Sequence, residues 1–291
     1  MKEIAIIGST ASGKTALSLE IANKTNSIIL SLDSLCVYKE IEIASAKPTF
    51  EERGDIIHFG IDEVYPNEEF DVIKFIELYK KAKEYAFKND KNLIIVGGTG
   101  FYLKALIDGL SQGIETKIKL DIPQEDAYDL LYKIDKEYME KIEKNDRYRI
   151  EKAYAIYKQT SLGPTQYFQK NPKIAVAKDL KIFEILWDKE ELKNRILKRT
   201  KIMINSGIID EVIFLEKKYT REPNSMSSIG IIETLEYLDG KLTKQELEEK
   251  ISANTAKLAK RQNTFNKGQF LDKTSNIIEN LNSDIIKYFS L

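Results

Sequence analysis

The chain has 291 residues, with 45 Lys and Arg against 46 Asp and Glu and a formal net charge of −1. It therefore lacks the overall basic excess that commonly marks a nucleic-acid binder, so any such contact must rest on local patches. A content of 42% hydrophobic and 31% charged residues excludes a disordered chain and suits one large or two modest domains. Cys36 is the only cysteine, which excludes an intrachain disulfide and a cysteine-based zinc site. No apolar run reaches the roughly 18 residues of a membrane span. An early strand leaves no room for a signal peptide, so a cytoplasmic protein is expected.

Residues 2–7 read as a short buried strand, and residues 15–22 as the helix that follows. Between them lies Gly8-Ser9-Thr10-Ala11-Ser12-Gly13-Lys14-Thr15, which fits the P-loop pattern G-x-x-x-x-G-K-[ST]. Its glycines permit a tight turn in which successive N–H groups point at phosphate oxygens, and the new helix adds its positive end. Lys14 would bridge two phosphates, and the Thr15 hydroxyl would ligate Mg²⁺. Residues 27–32 form a second strand ending at Asp33, with Ser34, Leu35 and Cys36 next in line. Asp33 at that strand end is a metal ligand, a general base or a turn-capping residue. The only histidine, His58, receives no catalytic role.

A helix is expected over residues 71–87, where Val72, Phe75, Ile76, Tyr79 and Ala82 keep helical spacing. Residues 93–96 are a fully apolar strand ending in Gly97-Gly98-Thr99-Gly100. The glycines allow a ligand to approach the backbone closely, or simply open the next helix. A motor or switch NTPase would place an acidic magnesium-shell residue at that strand end, and its absence argues against an ordinary ATPase. Uniformly apolar strands alternating with helices predict a doubly wound parallel α/β core of the P-loop NTPase kind.

From residue 124 to residue 158 only helices are expected. Leu130, Ile134, Tyr138 and Ile142 form one stripe; Asn145 and Asp146 break it and cap a helix whose apolar face is Ile150, Ala153, Tyr154 and Tyr157. Gly163-Pro164 is a turn, and residues 182–187 return as a strand. The expected division is a core of residues 1–110 and 181–291 with a helical insertion at 111–180. Helices are predicted over 189–205, 208–219, 230–237 and 244 to about 260, followed by an unremarkable charged tail from Asn276.

On the helix from residue 189, Arg199 stands among Leu192, Ile196 and Met203, with Arg195 at the stripe's edge. A guanidinium in an apolar stripe either snorkels to water or meets a buried anion; beside a phosphate loop, the anion is favoured. The segment with Lys260, Arg261, Gln262 and Phe265 mixes basic, amide and aromatic groups. It suits a phosphate backbone and a stacked base, or else is a solvated helix end.

Taken in order, these pieces resemble the tRNA dimethylallyltransferase family, also called isopentenyl-tRNA transferases. The resemblance rests on Gly8 to Thr15 with Ala16-Leu17; Asp33-Ser34 with Tyr38 and Ala46-Lys47-Pro48; His58-Phe59-Gly60-Ile61-Asp62; and Val96 to Gly100 with Tyr102 and Lys104-Ala105-Leu106. It continues through Asn145-Asp146 with Arg149, Ser206-Gly207 with Glu211-Val212, and Leu258 to Gln262 with Thr264. Nearly the whole chain is covered. The resemblance implies transfer of a dimethylallyl group from its diphosphate to the exocyclic amine of the adenine on the 3′ side of the tRNA anticodon. Asp33 would be the base, Thr99 and Arg199 would hold the reacting groups and the diphosphate, and the insertion would grip the anticodon stem-loop. The implied tRNA contacts are Asp33, Ser34, Leu35, Cys36, Thr99, Tyr148, Arg149, Lys152, Lys260, Arg261, Gln262 and Phe265. A Mg²⁺-dependent monomer with no membrane association is expected. The chain departs from the family pattern at residues 227–233, where only Gly230 is kept, at Phe265, where Trp is usual, and at residues 112–122. A small-molecule kinase, a dimethylallyltransferase acting on free adenine nucleotides, and a non-enzymatic RNA-binding switch share parts of this pattern.

Overall fold

The computed structural model describes residues 1–111 and 119–290. The departure read at 112–122 lies, as far as residue 118, outside the described residues. From the N-terminus, β1 (Glu3–Ile7) runs into α1 (Lys14–Lys24), β2 (Ser27–Ser31), α2 (Phe50–Arg53), β3 (His58–Phe59), α3 (Val72–Lys88), β4 (Asn92–Gly97) and α4 (Gly100–Asp108). Next come α5 (Gln124–Ile134), α6 (Lys136–Met139), α7 (Arg147–Thr160) and α8 (Pro164–Lys170). The chain returns through β5 (Lys181–Ile185), α9 (Lys189–Asn205), α10 (Ile208–Tyr219), α11 (Ile231–Leu238), α12 (Lys244–Gln269), β6 (Thr274–Asn276) and α13 (Ile278–Ser290). It divides into two compact units, Met1–Lys104 with Ala177–Leu291, and Ala105–Val176.

In the first unit, the described strands form one six-stranded sheet in the order β3-β2-β4-β1-β5-β6. Every pairing is parallel. Parallel neighbours need crossover connections, which place helices on both faces and leave the strands apolar throughout. On one face, Leu17 and Ile21 of α1 and Leu281 and Ile285 of α13 pack with Ile4, Ile6, Ile29 and Ile94. Glu3 points to the other face by strand alternation. There it accepts the Tyr79 hydroxyl of α3 at 2.7 Å. The doubly wound α/β core is thus as the strand–helix alternation implies. Because Ile7 pairs with Gly97 and Ser31 with Val96, β1, β2 and β4 end at one edge, where open α/β sheets receive ligands.

Three local expectations are corrected. The charged tail is not unremarkable: it holds β6 and α13, and Leu281 and Ile285 of α13 are fully buried. The helix from residue 244 does not stop near 260 but runs to Gln269, because Ala259, Asn266 and then Phe270 continue its buried face. In the second unit, no single stripe runs through Leu130, Ile134, Tyr138 and Ile142. The helix breaks at buried Asp135, which caps α6 by accepting the Tyr138 N–H and also accepts the Thr165 N–H at 2.6 Å. The core there is Ala127, Tyr128, Leu131, Met139 and Ile142 with Ile150, Ala153 and Tyr154, while Ile134 is exposed. Asp146 caps α7 as expected, accepting the Arg149 N–H at 3.1 Å.

Candidate active site

The phosphate loop fills the turn between β1 and α1. Gly13 is the N-cap of α1 with φ +89°, a left-handed conformation that a side chain would strain. The loop is also held from outside. Trp187 Nε1 donates to Ser12 O at 2.8 Å, and Arg195 Nε donates to Ala11 O at 2.7 Å. The Arg195 guanidinium lies 4.3 Å from the Trp187 ring centre, a cation–π contact that fixes both. Arg195 is therefore a loop anchor at the edge of the α9 stripe. Lys14 folds back along its own loop, with Nζ donating to Ser9 O at 2.6 Å.

Asp33 follows β2 and makes an Asx turn in which Oδ1 accepts the Leu35 N–H at 2.9 Å. Leu35 packs against the apolar cluster that contains Val37, Tyr38 and Ile41, whereas Ser34 is exposed. Thr99 follows β4; its N–H donates to Leu32 O at 3.1 Å, and its hydroxyl accepts the Ser34 N–H at 3.2 Å. The ends of β2 and β4 are thus stitched together at the residues the sequence singles out.

Lys14, Asp33, Cys36 and Arg199 line one cleft with Thr15 and Gln262. Burial pulls the Lys14 ammonium down to about 8; Asp33 opposes this and Arg199 adds to it. Burial likewise lowers the Arg199 guanidinium from its usual value, again opposed by Asp33. Two cations and one carboxylate thus share the cleft, and an anion entering there would relieve the cations' mutual repulsion. Burial pushes the Cys36 thiol well up, and the Asp33 charge pushes it further. Cys36 is therefore a neutral wall residue rather than a nucleophile. Ile29, Ile61 and Val96 add apolar surface to the cleft lining.

The Gly97–Gly100 segment lets other parts of the chain approach closely, while Gly97 and Gly98 also line the cleft and Gly100 opens α4. A Cβ at Gly97 would collide with the Leu32 carbonyl, and one at Gly98 with the Gln262 amide. At Gly100 it would stand 2.7 Å from the Phe265 ring. Two of the residues expected to contact RNA, Gln262 and Phe265, are half-buried and pack from α12 against the segment that follows β4. Lys260 and Arg261 on the same helix are exposed. In the second unit, Tyr148, Arg149 and Lys152 lie on α7. Tyr148 is 68% exposed, Lys152 stands over its ring at 5.2 Å, and Arg149 pairs with Asp146 at 3.2 Å.

Sequence reasoning gave no role to Lys47 or His58, and both line the cleft. Lys47 is buried; its Nζ donates to Tyr38 O at 3.1 Å and pairs with Glu42 at 2.8 Å and with Asp62. The signal was available, since a lysine in an Ala-Lys-Pro stretch with acidic residues on both sides is set up for pairing. Burial lowers the His58 imidazole, whose Nδ1 lies 2.8 Å from Ile56 O, so the ring is neutral. Glu211 enters the sequence pattern only beside Val212. It accepts the N–H groups of Glu42, Ile43 and Ala44 at 2.8, 2.7 and 2.9 Å and so fixes the loop that carries Lys47.

The family model described as IPP transferase matches residues 36–269. The chain is 81% identical over 291 residues to the tRNA dimethylallyltransferase of Aliarcobacter butzleri (strain RM4018), covering 100% of both. It is 52% identical over 294 residues to the tRNA dimethylallyltransferase of Sulfurimonas denitrificans (strain ATCC 33889 / DSM 1251), covering 98% of each. A solved eukaryotic dimethylallyltransferase acting on tRNA is similar with a TM-score of 0.82 at 28% identity, over 96% of this chain and 74% of that one. The tRNA isopentenylpyrophosphate transferase from Bacillus halodurans gives a TM-score of 0.75 at 28% identity, over 99% and 95% of the two chains.

Proposed function

The chain belongs to the IPP transferase family, and from that premise we propose how its cleft carries out dimethylallyl transfer to tRNA. The observation that carries the reading is that Lys14, Arg199 and Asp33 line one cleft with the phosphate loop. The loop and both cations receive the diphosphate, and Ile29, Ile61 and Val96 offer an apolar wall for the allyl chain. The exocyclic amine of the adenine attacks the allylic carbon. As the C–N bond forms, the C–O bond to diphosphate breaks, and the amine's proton passes to Asp33. An adenine amine is a weak nucleophile, so a positioned base helps. Lys14 and Arg199 offset charge that grows on the leaving oxygen, a stabilisation larger in the transition state than in the ground state. Thr99, whose hydroxyl already accepts the Ser34 N–H, keeps its own O–H to orient the reacting groups.

Thr15 lies exposed at the cleft mouth and presents the hard oxygen donor that Mg²⁺ takes. Its hydroxyl would hold the ion against the diphosphate, where Mg²⁺ supplies charge neutralisation to the leaving group. Among the described residues no cluster of His, Cys, Asp and Glu could hold a metal by itself, which fits an ion shared with the substrate.

The target adenine must leave its stack, which is easiest in a single-stranded loop. Exposed Lys260 and Arg261, together with Tyr148, Arg149 and Lys152, are proposed as contacts to the anticodon stem-loop. The helical insertion of residues 111–180 is proposed as the grip on that arm. Among the described residues no helix is long and apolar enough to cross a membrane. We propose that the protein acts in the cytoplasm as a monomer.

Incubation with labelled dimethylallyl diphosphate, Mg²⁺ and total tRNA, without ATP, tests the reading. Label is expected in tRNA. Label in free adenine nucleotides would reassign the acceptor, and phosphate transfer from ATP to a small molecule would establish a kinase instead.

A further inference from the structure

Gln262 of α12 spends both ends of its side-chain amide on two different strand ends. Oε1 accepts the Thr10 N–H of the phosphate loop at 2.8 Å. Nε2 donates to the Gly98 carbonyl, just past β4, at 3.0 Å. A flipped amide would set N–H against N–H and carbonyl against carbonyl, so one orientation alone satisfies both partners. Glutamate could accept from Thr10 but could not donate to Gly98. The missing side chain at Gly98 belongs to the same arrangement, because a Cβ there would collide with Nε2.

We propose that Gln262 is a positioning residue for the transfer: it ties the phosphate loop to the end of β4 and so sets the separation between the leaving group and the side of the cleft that takes the proton. The path to that side is short. Thr99 follows Gly98 directly, its N–H donates to Leu32 O, and its hydroxyl accepts the Ser34 N–H beside Asp33. Trp187 and Arg195 hold the loop through the Ser12 and Ala11 carbonyls, but they come from β5's end and α9 and do not reach β4. Gln262 is the side chain that joins the loop to the Asp33–Thr99 side. The Thr10 N–H, committed to Gln262, serves the loop's position. This role differs from the RNA contact that the pattern around Lys260 suggests, and it rests on the transfer reaction proposed above.

A misplacement of about 1 Å between reacting groups can cost on the order of a hundredfold in rate. Gln262→Met keeps the length of the side chain and removes both hydrogen bonds; Gly98→Ala displaces the amide from the other side. Each single variant is expected to lose kcat by on the order of tenfold to a hundredfold. Both KM values and tRNA affinity by filter binding should stay within about threefold, the mark of an interaction realised in the transition state. Because the two changes break one brace, the double variant should fall no further than the worse single. All rates are read well below each variant's Tm. Loss of tRNA affinity with kcat retained would make Gln262 an RNA contact and overturn the proposal. A lowered Tm with normal kcat would make it mere scaffold, and multiplicative losses would make the two positions independent; either result also overturns it. If one single variant does not fold, the other decides by its own kcat. Failure of the wild-type protein to label tRNA would overturn the reaction instead, independently of the variants.

Discussion

Two glycine-bearing strand ends sit side by side at one edge of the sheet, and they owe their glycines to different physics. After β1, the glycines answer first to local backbone conformation: Gly13 has φ +89° at the head of α1, which strains any side chain even before its neighbours Ile278 and Arg195 are counted. After β4, Gly97, Gly98 and Gly100 make room for the Leu32 carbonyl, the Gln262 amide and the Phe265 ring, groups that arrive from distant parts of the chain. The first segment is a motif because its geometry is local. The second is a socket, and its logic appears only when β2 and α12 are in place. In the proposed reaction the chemistry divides in the same way: the first loop brings charge to the substrate, and the second aligns the groups that use it.

Asp33 lies on the aligning side, and its loss should have the largest effect. Asp33→Asn keeps an oxygen able to accept the Leu35 N–H but removes the base, so the transfer rate should fall about a hundredfold or more while binding of both substrates changes little. Single-turnover transfer together with filter binding measures both. Near-normal turnover would leave the β2–β4 side with no proton-accepting role, and the contrast between charge-bearing and aligning segments would lose its chemical content.

Arg199 belongs with the charge-bearing side. Arg199→Ala should reduce kcat/KM for dimethylallyl diphosphate by roughly ten- to a hundredfold, the range of a lost charge-assisted hydrogen bond. Thermal melting must accompany the kinetics, because the residue sits between buried Ile196 and Met203 on α9. Normal handling of the diphosphate would mean that the guanidinium only snorkels.

Lys14 makes the same side pH-dependent. Its ordinary value of 10.5 falls to about 8 in the folded chain, mainly through burial. Below that pH both folded and unfolded chains carry the proton, and folding bears the full cost of burying the charge. Between about 8 and 10.5 the folded state has released a proton that the unfolded chain retains, so this group's contribution to stability rises with pH across that window. Affinity for the diphosphate should move the opposite way. It should weaken above about pH 8, approaching tenfold for one further pH unit if only the charged form binds. Calorimetry in buffers of different ionisation enthalpy should show proton uptake on binding in that range. A flat affinity profile with no proton uptake would show that Lys14 is not the cation that meets the diphosphate.

Much of this division was readable from the chain. Residues 189–205 and 208–219 are helices to the residue, because a capping Asp188 and a left-handed Gly207 sit at their starts. The phosphate loop was legible because it is a local pattern between a strand and a helix. The parts that escaped depend on partners far away in sequence. β3 is two residues long and exists because His58 and Phe59 find β2. α13, by contrast, was legible in the chain, since Ile278, Leu281, Ile285 and Tyr288 keep helical spacing among the charges, and it completes the core over β1 and β5. Gln262 and Phe265 suit RNA by their residue types, and nothing local shows that the same side chains also pack against the segment after β4. Their docking against Gly98 and Gly100 could not be seen from residues 164 positions apart in the case of the Gln262–Gly98 bond.

Thr99 gives the smallest and most discriminating test of the difference between the two strand ends. Its hydroxyl accepts one neutral hydrogen bond, from the exposed Ser34 N–H at 3.2 Å. Thr99→Val keeps the volume and removes that acceptor. Water can replace the bond at an exposed N–H, so the stability cost should stay within about 1 kcal/mol. If Thr99 acts by alignment, kcat should fall only about two- to tenfold, the range expected from one neutral hydrogen bond. Thr99→Ser, which keeps the hydroxyl, should recover most of it. Lys14→Met, on the charge-bearing loop, should lose far more under the same conditions, because a charge opposite a diphosphate is removed. A Thr99→Val loss as large as that of Lys14→Met, with Thr99→Ser restoring it, would put the hydroxyl in direct contact with the reacting atoms and dissolve the distinction between a loop that carries charge and a socket that aligns.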